Sequence, residues 1–80
     1  MPSLRRMTGR DVLTAFKSLG FEVYSQKGSH VKLRRLDPNG GQQTLTIPNH
    51  PELDTGTLRA ILRQASRYVA LDTLHQHFYR

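Results

Sequence analysis

Apolar positions along this chain switch twice between a helical and an extended period, and the switches mark the elements. Val12, Leu13, Phe16 and Leu19 recur at helical spacing. Thr8 precedes them as an N-cap, with Asp11 three residues later where a capping box places its acidic partner. Gly20 suits a C-cap. The pattern predicts a helix over 9–19. From Phe21 to Gln26 the residues alternate, which predicts a strand with Phe21 and Val23 on one face. Lys27-Gly28-Ser29 reads as a tight connection. His30 to Leu36 is a second strand, carrying Val31 and Leu33 on one face. Asp37-Pro38-Asn39-Gly40-Gly41 is a turn. Gln42 to Ile47 is a third strand with Leu45 and Ile47 as its apolar pair, ended by Pro48 and Pro51.

A second helix follows, capped by Asp54 or Thr55, with Leu58, Ile61, Leu62 and Ala65 as its apolar stripe. Residues 72–79 can form a short third helix with Leu71, Leu74 and Phe78 turned inward. Residues 1–7 read as a basic tail and 67–80 as a C-terminal extension of one domain spanning 1–80. Strands joined by short connections form an antiparallel meander. Each helix has one apolar stripe and each strand one apolar face, so both helices pack on the same side of the sheet. The expected fold is α+β, in the order helix-strand-strand-strand-helix. A chain this short buries only about 60% of its unfolded surface, so the core is one layer deep.

Strand parity then states what the uncovered face carries. If Phe21, Val23, Val31, Leu33, Leu45 and Ile47 meet the helices, then His30, Lys32 and Arg34 of the second strand face away. Glu22, Tyr24 and Gln26 do so from the first strand, and Thr44 and Thr46 from the third. Taken singly, Lys32 and Arg34 are ordinary solvated residues. Together with His30 they form a cationic surface. Tyr24 stands alone, without the aromatic pair of a base-stacking sheet, so the surface suits phosphate and ribose better than bases.

Composition agrees with that surface. Twelve Lys and Arg face six Asp and Glu, a formal net charge of +6, which suits a polyanionic partner. The absence of cysteine excludes disulfides, thiolate catalysis and cysteine-based zinc sites. It fits the cytoplasm. Met1-Pro2-Ser3-Leu4-Arg5-Arg6 lacks the apolar run of a signal peptide. No segment reaches the roughly 20 apolar residues that span a bilayer, so no membrane partner is expected.

Lys27-Gly28-Ser29-His30-Val31 closely resembles the Gly-Ser-His segment of the HicA-type toxins, small mRNA interferases of bacterial toxin–antitoxin pairs. Leu19-Gly20-Phe21, Ile47-Pro48-Asn49-His50 and the run from Gly56 to Ala65 extend the resemblance over about residues 7–66. Together these pieces imply a fold like a double-stranded-RNA-binding domain. They imply a metal-independent endoribonuclease of a type II system with no cofactor. His30 matches the catalytic histidine, mRNA is the substrate, and a HicB-type antitoxin covers the site.

The chemistry suits the residue. RNA carries its own nucleophile, the 2′-hydroxyl, and imidazole can take or give a proton at neutral pH. Lys32 or Arg34 could stabilise charge developing on the phosphate. Gly28 allows a sharp turn, and backbone N–H groups around Ser29 could form an anion nest. The expected RNA-binding set is therefore Tyr24, Lys27, Gly28, Ser29, Lys32, Arg34 and His50. One histidine does not supply both acid and base. His50 is the obvious second candidate, and Tyr24 or Lys32 could also serve. The alternative for His50 is that it caps or orients the strand–helix loop. His75 and His77, two apart on a helix, do not face each other and are no zinc pair. Arg59, Arg63 and Arg67 form a stripe that is either a solvated helical face or a second track for phosphates or an acidic partner. Two other classes remain open: an RNA-binding module of the same fold that does not cut, and an interaction protein for an acidic partner.

Overall fold

The computed structural model describes residues 3–80. Its elements are α1 (Gly9–Ser18), β1 (Glu22–Lys27), β2 (His30–Leu36), β3 (Gln42–Pro48), α2 (Thr55–Ala65) and α3 (Leu71–Phe78). The α+β order read from the sequence holds, with the third helix added at the end.

The first two helices begin where side chains satisfy their free N–H groups. At α1 the Thr8 hydroxyl accepts from the Asp11 N–H, and the Asp11 carboxylate accepts from the Thr8 N–H, both at 3.0 Å. At α2 the cap is Asp54, whose carboxylate accepts from the Thr57 N–H at 2.7 Å. Thr55 is the first helical residue. α3 has no side-chain cap, so it depends on packing. Leu74 and Phe78 supply that packing, but Leu71 does not: it is 64% exposed. Leu71 lies in the first turn, before the helix has reached the core, so the expected inward triplet is an inward pair.

The sheet has the order β1-β2-β3, antiparallel throughout. β2 and β3 pair in unbroken register from His30↔Pro48 to Leu36↔Gln42. The β1–β2 register slips once, because Val23 pairs with Leu33 and Ser25 with Lys32, leaving Tyr24 as an extra residue in a β-bulge. Val31, Leu33, Leu45 and Ile47 face the helices and are buried with Val12, Phe16, Leu58 and Ile61. Phe16 meets Phe21 edge-on at 5.8 Å and Phe78 at 5.3 Å, joining α1 to the start of β1 and to α3. Val23 departs from expectation: it is 48% exposed. It shares a side with Leu33 but sits on the outer strand, while α1 and α2 cover β3.

Arg35 closes the core at the end of the sheet away from the β1–β2 turn. It lies on the inner side of β2, paired with Gln43. Its guanidinium lies 4.5 Å from the Phe21 ring centroid. It donates to Gln43 Oε1 at 2.7 Å, to the Leu19 carbonyl at 2.8 Å and to the Tyr68 carbonyl at 3.2 Å. One side chain thus joins α1, β3 and the segment before α3. The edge of β3 is closed by Gln64 of α2, whose amide accepts from the Thr46 N–H at 2.8 Å and donates to the Thr46 carbonyl at 3.3 Å.

The segment read as a basic tail is stitched to the body over its described residues. Arg5 N–H donates to the Phe78 carbonyl at 2.9 Å, Arg80 N–H to the Ser3 carbonyl at 3.0 Å and Leu53 N–H to the Met7 carbonyl at 3.1 Å. Met7 is buried. Met1 and Pro2 lie outside the described residues.

Replacing Arg35 by Met keeps the stem and deletes the donors, so stability to urea should fall by about 1–3 kcal/mol. An unchanged unfolding midpoint would show that the three acceptors are satisfied by water. A second expectation concerns acid. The Thr8 N–H holds the Asp11 carboxyl below its ordinary value of 3.8, and the Thr57 N–H does the same for Asp54. A carboxyl lowered by folding stabilises fully above its unfolded value, and that contribution fades as pH falls through the folded value. The melting temperature of the wild type should therefore drop more steeply below about pH 3.8 than that of an Asp11→Asn, Asp54→Asn variant.

Candidate functional site

The site begins with a turn. β1 and β2 are joined by Gly28 and Ser29 alone, between the paired residues Lys27 and His30. Gly28 has φ +59°. A glycine at the first central position of a two-residue loop matches the sterics of a type II′ hairpin, whose twist agrees with that of the strands. Space is not the reason for glycine here, since a Cβ at that position would meet nothing within 4 Å. The turn makes His30 the first residue of the central strand, between Lys27 on one side and Pro48 on the other.

Paired residues on neighbouring strands point to the same side of a sheet. The uncovered face therefore carries three rows: Lys27–His30–Pro48, Ser25–Lys32–Thr46 and Glu22–Arg34–Thr44. The bulge changes which residues of β1 take part. Gln26, expected on this face, pairs with Val31 and lies on the helix side, because the extra residue at Tyr24 inverts the parity of everything after it. Ser25 and Lys27 occupy the face instead. Gln26 supports the turn from its new side, its amide donating to the Gly28 carbonyl at 3.1 Å.

Ser25, Lys27, His30, Lys32 and Thr46 line an open hollow of about 520 Å³. His30 is exposed and stands between two ammonium groups, Lys27 opposite on β1 and Lys32 two residues along β2. The Thr46 and Ser25 hydroxyls add hydrogen-bonding groups. Beyond them the Arg34 guanidinium lies 4.5 Å from the Tyr24 ring centroid. Arg34 thus occupies one face of the tyrosine and is held over it. The hollow can hold an anion beside an imidazole, with cations on two sides.

His50 lies elsewhere. It is on the loop between β3 and α2, and it does not line the hollow. Its Nε2 is 3.1 Å from Ser29 Oγ. The Asn49 N–H donates to the Ser29 carbonyl at 2.7 Å, and the Gly9 N–H donates to the His50 carbonyl at 2.8 Å. The loop is thereby tied to the turn on one side and to α1 on the other. The exposed Arg59 lines a separate depression with Ser3, Leu4, Thr55 and Tyr79, apart from His30. Among the described residues no three His, Cys, Asp or Glu side chains gather as metal ligands.

Sequence reasoning placed His30, Lys32 and Arg34 on one face, and pairing with the neighbouring strands keeps them there. It also placed Thr46 on that face, where it lines the hollow, but it missed Ser25 as a lining residue and Lys27 as a strand residue opposite His30. No local signal marks Tyr24 as a bulge, so the inversion was invisible. Gly9 was also missed. A Cβ there would come within 2.6 Å of Asn49 Cα and 2.7 Å of the His50 nitrogen and the Pro48 carbonyl oxygen.

A family model described as the HicA toxin of bacterial toxin–antitoxin matches residues 9–66. No curated protein and no solved structure matches the chain.

Gly9→Ala should test the packing beneath the site. Three backbone atoms would have to move, so the variant should lose about 1–3 kcal/mol in chemical unfolding. Amide signals of residues 48–50 should shift more than those of α2. A variant as stable as wild type would show that α1 can slide without cost.

Proposed function

Because the chain belongs to the HicA toxin family of bacterial toxin–antitoxin systems, we propose that it is a metal-independent endoribonuclease acting on mRNA, with His30 as its general acid or base. The observation that carries this reading is the position of His30: exposed, at the head of the central strand, in a hollow shared with Lys27 and Lys32.

The chemistry follows from that setting. The substrate's own 2′-hydroxyl attacks the adjacent phosphate, a 2′,3′-cyclic phosphate forms, and the 5′-oxygen leaves. His30 moves a proton at one end of this exchange, a contribution typically of about 10²–10⁴-fold. Negative charge grows on the non-bridging oxygens, and the ammonium groups of Lys27 and Lys32 are positioned to stabilise it. Gly28 and Ser29 offer backbone N–H groups to a neighbouring phosphate. Arg34, held over Tyr24, extends the cationic track along the strand. Such a track binds RNA backbone with strong salt dependence. The toxin requires an antitoxin, and we propose a HicB-type partner that covers the hollow with acidic groups. Its site of action is the cytoplasm, where the transcripts are.

Purified wild type should cut labelled RNA in the presence of EDTA, leaving cyclic-phosphate ends. His30→Ala should lose at least about 10²-fold in rate while melting at the same temperature, since the side chain is exposed. Full activity in His30→Ala would overturn the assignment. Wild type that binds RNA without cutting it would make the chain a non-catalytic RNA-binding module.

A further inference from the structure

We infer that His50 is a positioning residue for His30, acting through Ser29. The inference rests on the endoribonuclease reading above for its kinetic consequence, and on the hydrogen bonds alone for its structural one.

The turn that presents His30 has little packing of its own. Gly28 and Lys27 are exposed, and no atom lies within 4 Å of where a Gly28 Cβ would be. A two-residue loop at the tip of a hairpin whose first strand is exposed along its whole length would ordinarily be mobile. An imidazole at the end of such a loop would spend much of its time out of place. Three hydrogen bonds hold the loop instead. The Gln26 amide donates to the Gly28 carbonyl at 3.1 Å, the Asn49 N–H donates to the Ser29 carbonyl at 2.7 Å, and Ser29 Oγ pairs with His50 Nε2 at 3.1 Å. Two of the three come from the loop after β3.

That loop is in turn fixed to α1. The Gly9 N–H donates to the His50 carbonyl at 2.8 Å. Gly9 lies so close to Pro48, Asn49 and His50 that no side chain fits between them. From Gly9 the helix runs directly into Val12 and Phe16, both fully buried. A continuous path of short contacts therefore leads from the core through Gly9 and His50 to Ser29, the residue beside His30. His50 does not line the hollow, so its place in this path is support rather than contact with the reacting phosphate. The bond forms with either ring tautomer. A neutral ring with bare Nε2 accepts from the Ser29 hydroxyl, and a ring carrying the Nε2 proton donates to Ser29 Oγ.

The test is a kinetic double-mutant cycle with a spectroscopic readout. His50→Ala and Ser29→Ala should each lower kcat by about 10- to 100-fold, the cost of a misplaced catalytic group, with KM for RNA little changed. The double variant should be no slower than the slower single, because both changes break one bond. His50→Gln, whose amide can donate to Ser29 Oγ, should recover much of the rate. In His50→Ala the His30 ring and Ser29 amide signals should shift or broaden while those of α2 stay in place. An unchanged kcat, a rise confined to KM, or additive losses in the double variant would overturn the inference. If wild type cuts no RNA, the endoribonuclease reading falls by itself. The His30 and Ser29 signals then decide alone: movement in His50→Ala supports the positioning role, and unchanged signals overturn it.

Discussion

Burying Val31 and Leu33 in the central strand forces His30, Lys32 and Arg34 into solvent on the opposite side, and the remaining structure depends on that alternation. The side-chain period of a strand is two, so no intermediate arrangement exists. A one-residue slip would exchange two buried aliphatic side chains for two cations. Burial of each aliphatic side chain stabilises by roughly 1.5–3 kcal/mol, and unpaired buried cations would add a further penalty. The site is thus held open by the core. Its charged groups need no partners inside the chain because the apolar face already fixes their direction.

The neighbouring strands turn this line of side chains into a surface in different ways. β3 follows β2 in regular register and brings Thr44 and Thr46 alongside Arg34 and Lys32. β1 does so only after its bulge at Tyr24, which delivers Ser25 and Lys27 in place of Gln26. The bulge therefore sets the cation content beside His30. Without it Lys27 would point toward the helices, and the imidazole would have one ammonium neighbour on this face rather than two. An exposed outer strand permits this at small cost, since little packing of β1 is lost when its register shifts.

A cationic face is compatible with a small fold only if the opposite side is closed well. Here the closure is made by few groups. Arg35 is the one residue of β2 that carries charge inward, and it ends among carbonyl acceptors and an aromatic face rather than in the apolar centre. Gln64 seals the backbone edge of β3 where Thr46 would otherwise expose both of its polar groups. Leu4 bridges Tyr79 and Met7 bridges Leu53, which ties the described N-terminal segment to the body. These contacts are polar and join distant segments, and they leave the apolar residues to pack in a single cluster.

Short-range patterns were legible from residues alone. The capping box at Thr8 and Asp11, the glycine turn, the two strands that pair in regular register and the stripe of α2 all follow from local sterics and period, which a single segment carries in full. The direction of His30, Lys32 and Arg34 followed for the same reason. What could not be read depends on distant segments meeting. The inward Gln26, the half-exposed Val23 and the outward Leu71 reflect where a bulge, a sheet edge and a core boundary fall. His50 belongs to this second kind. Its residue type announced chemistry, but only the approach of Gly9 to the loop and of the loop to Ser29 gave it a place. The sequence by itself determined which residues face solvent along β2, because alternation is a property of one strand. Tertiary structure decided which residues stand beside them, because neighbours are set by pairing register and loop packing across the whole chain.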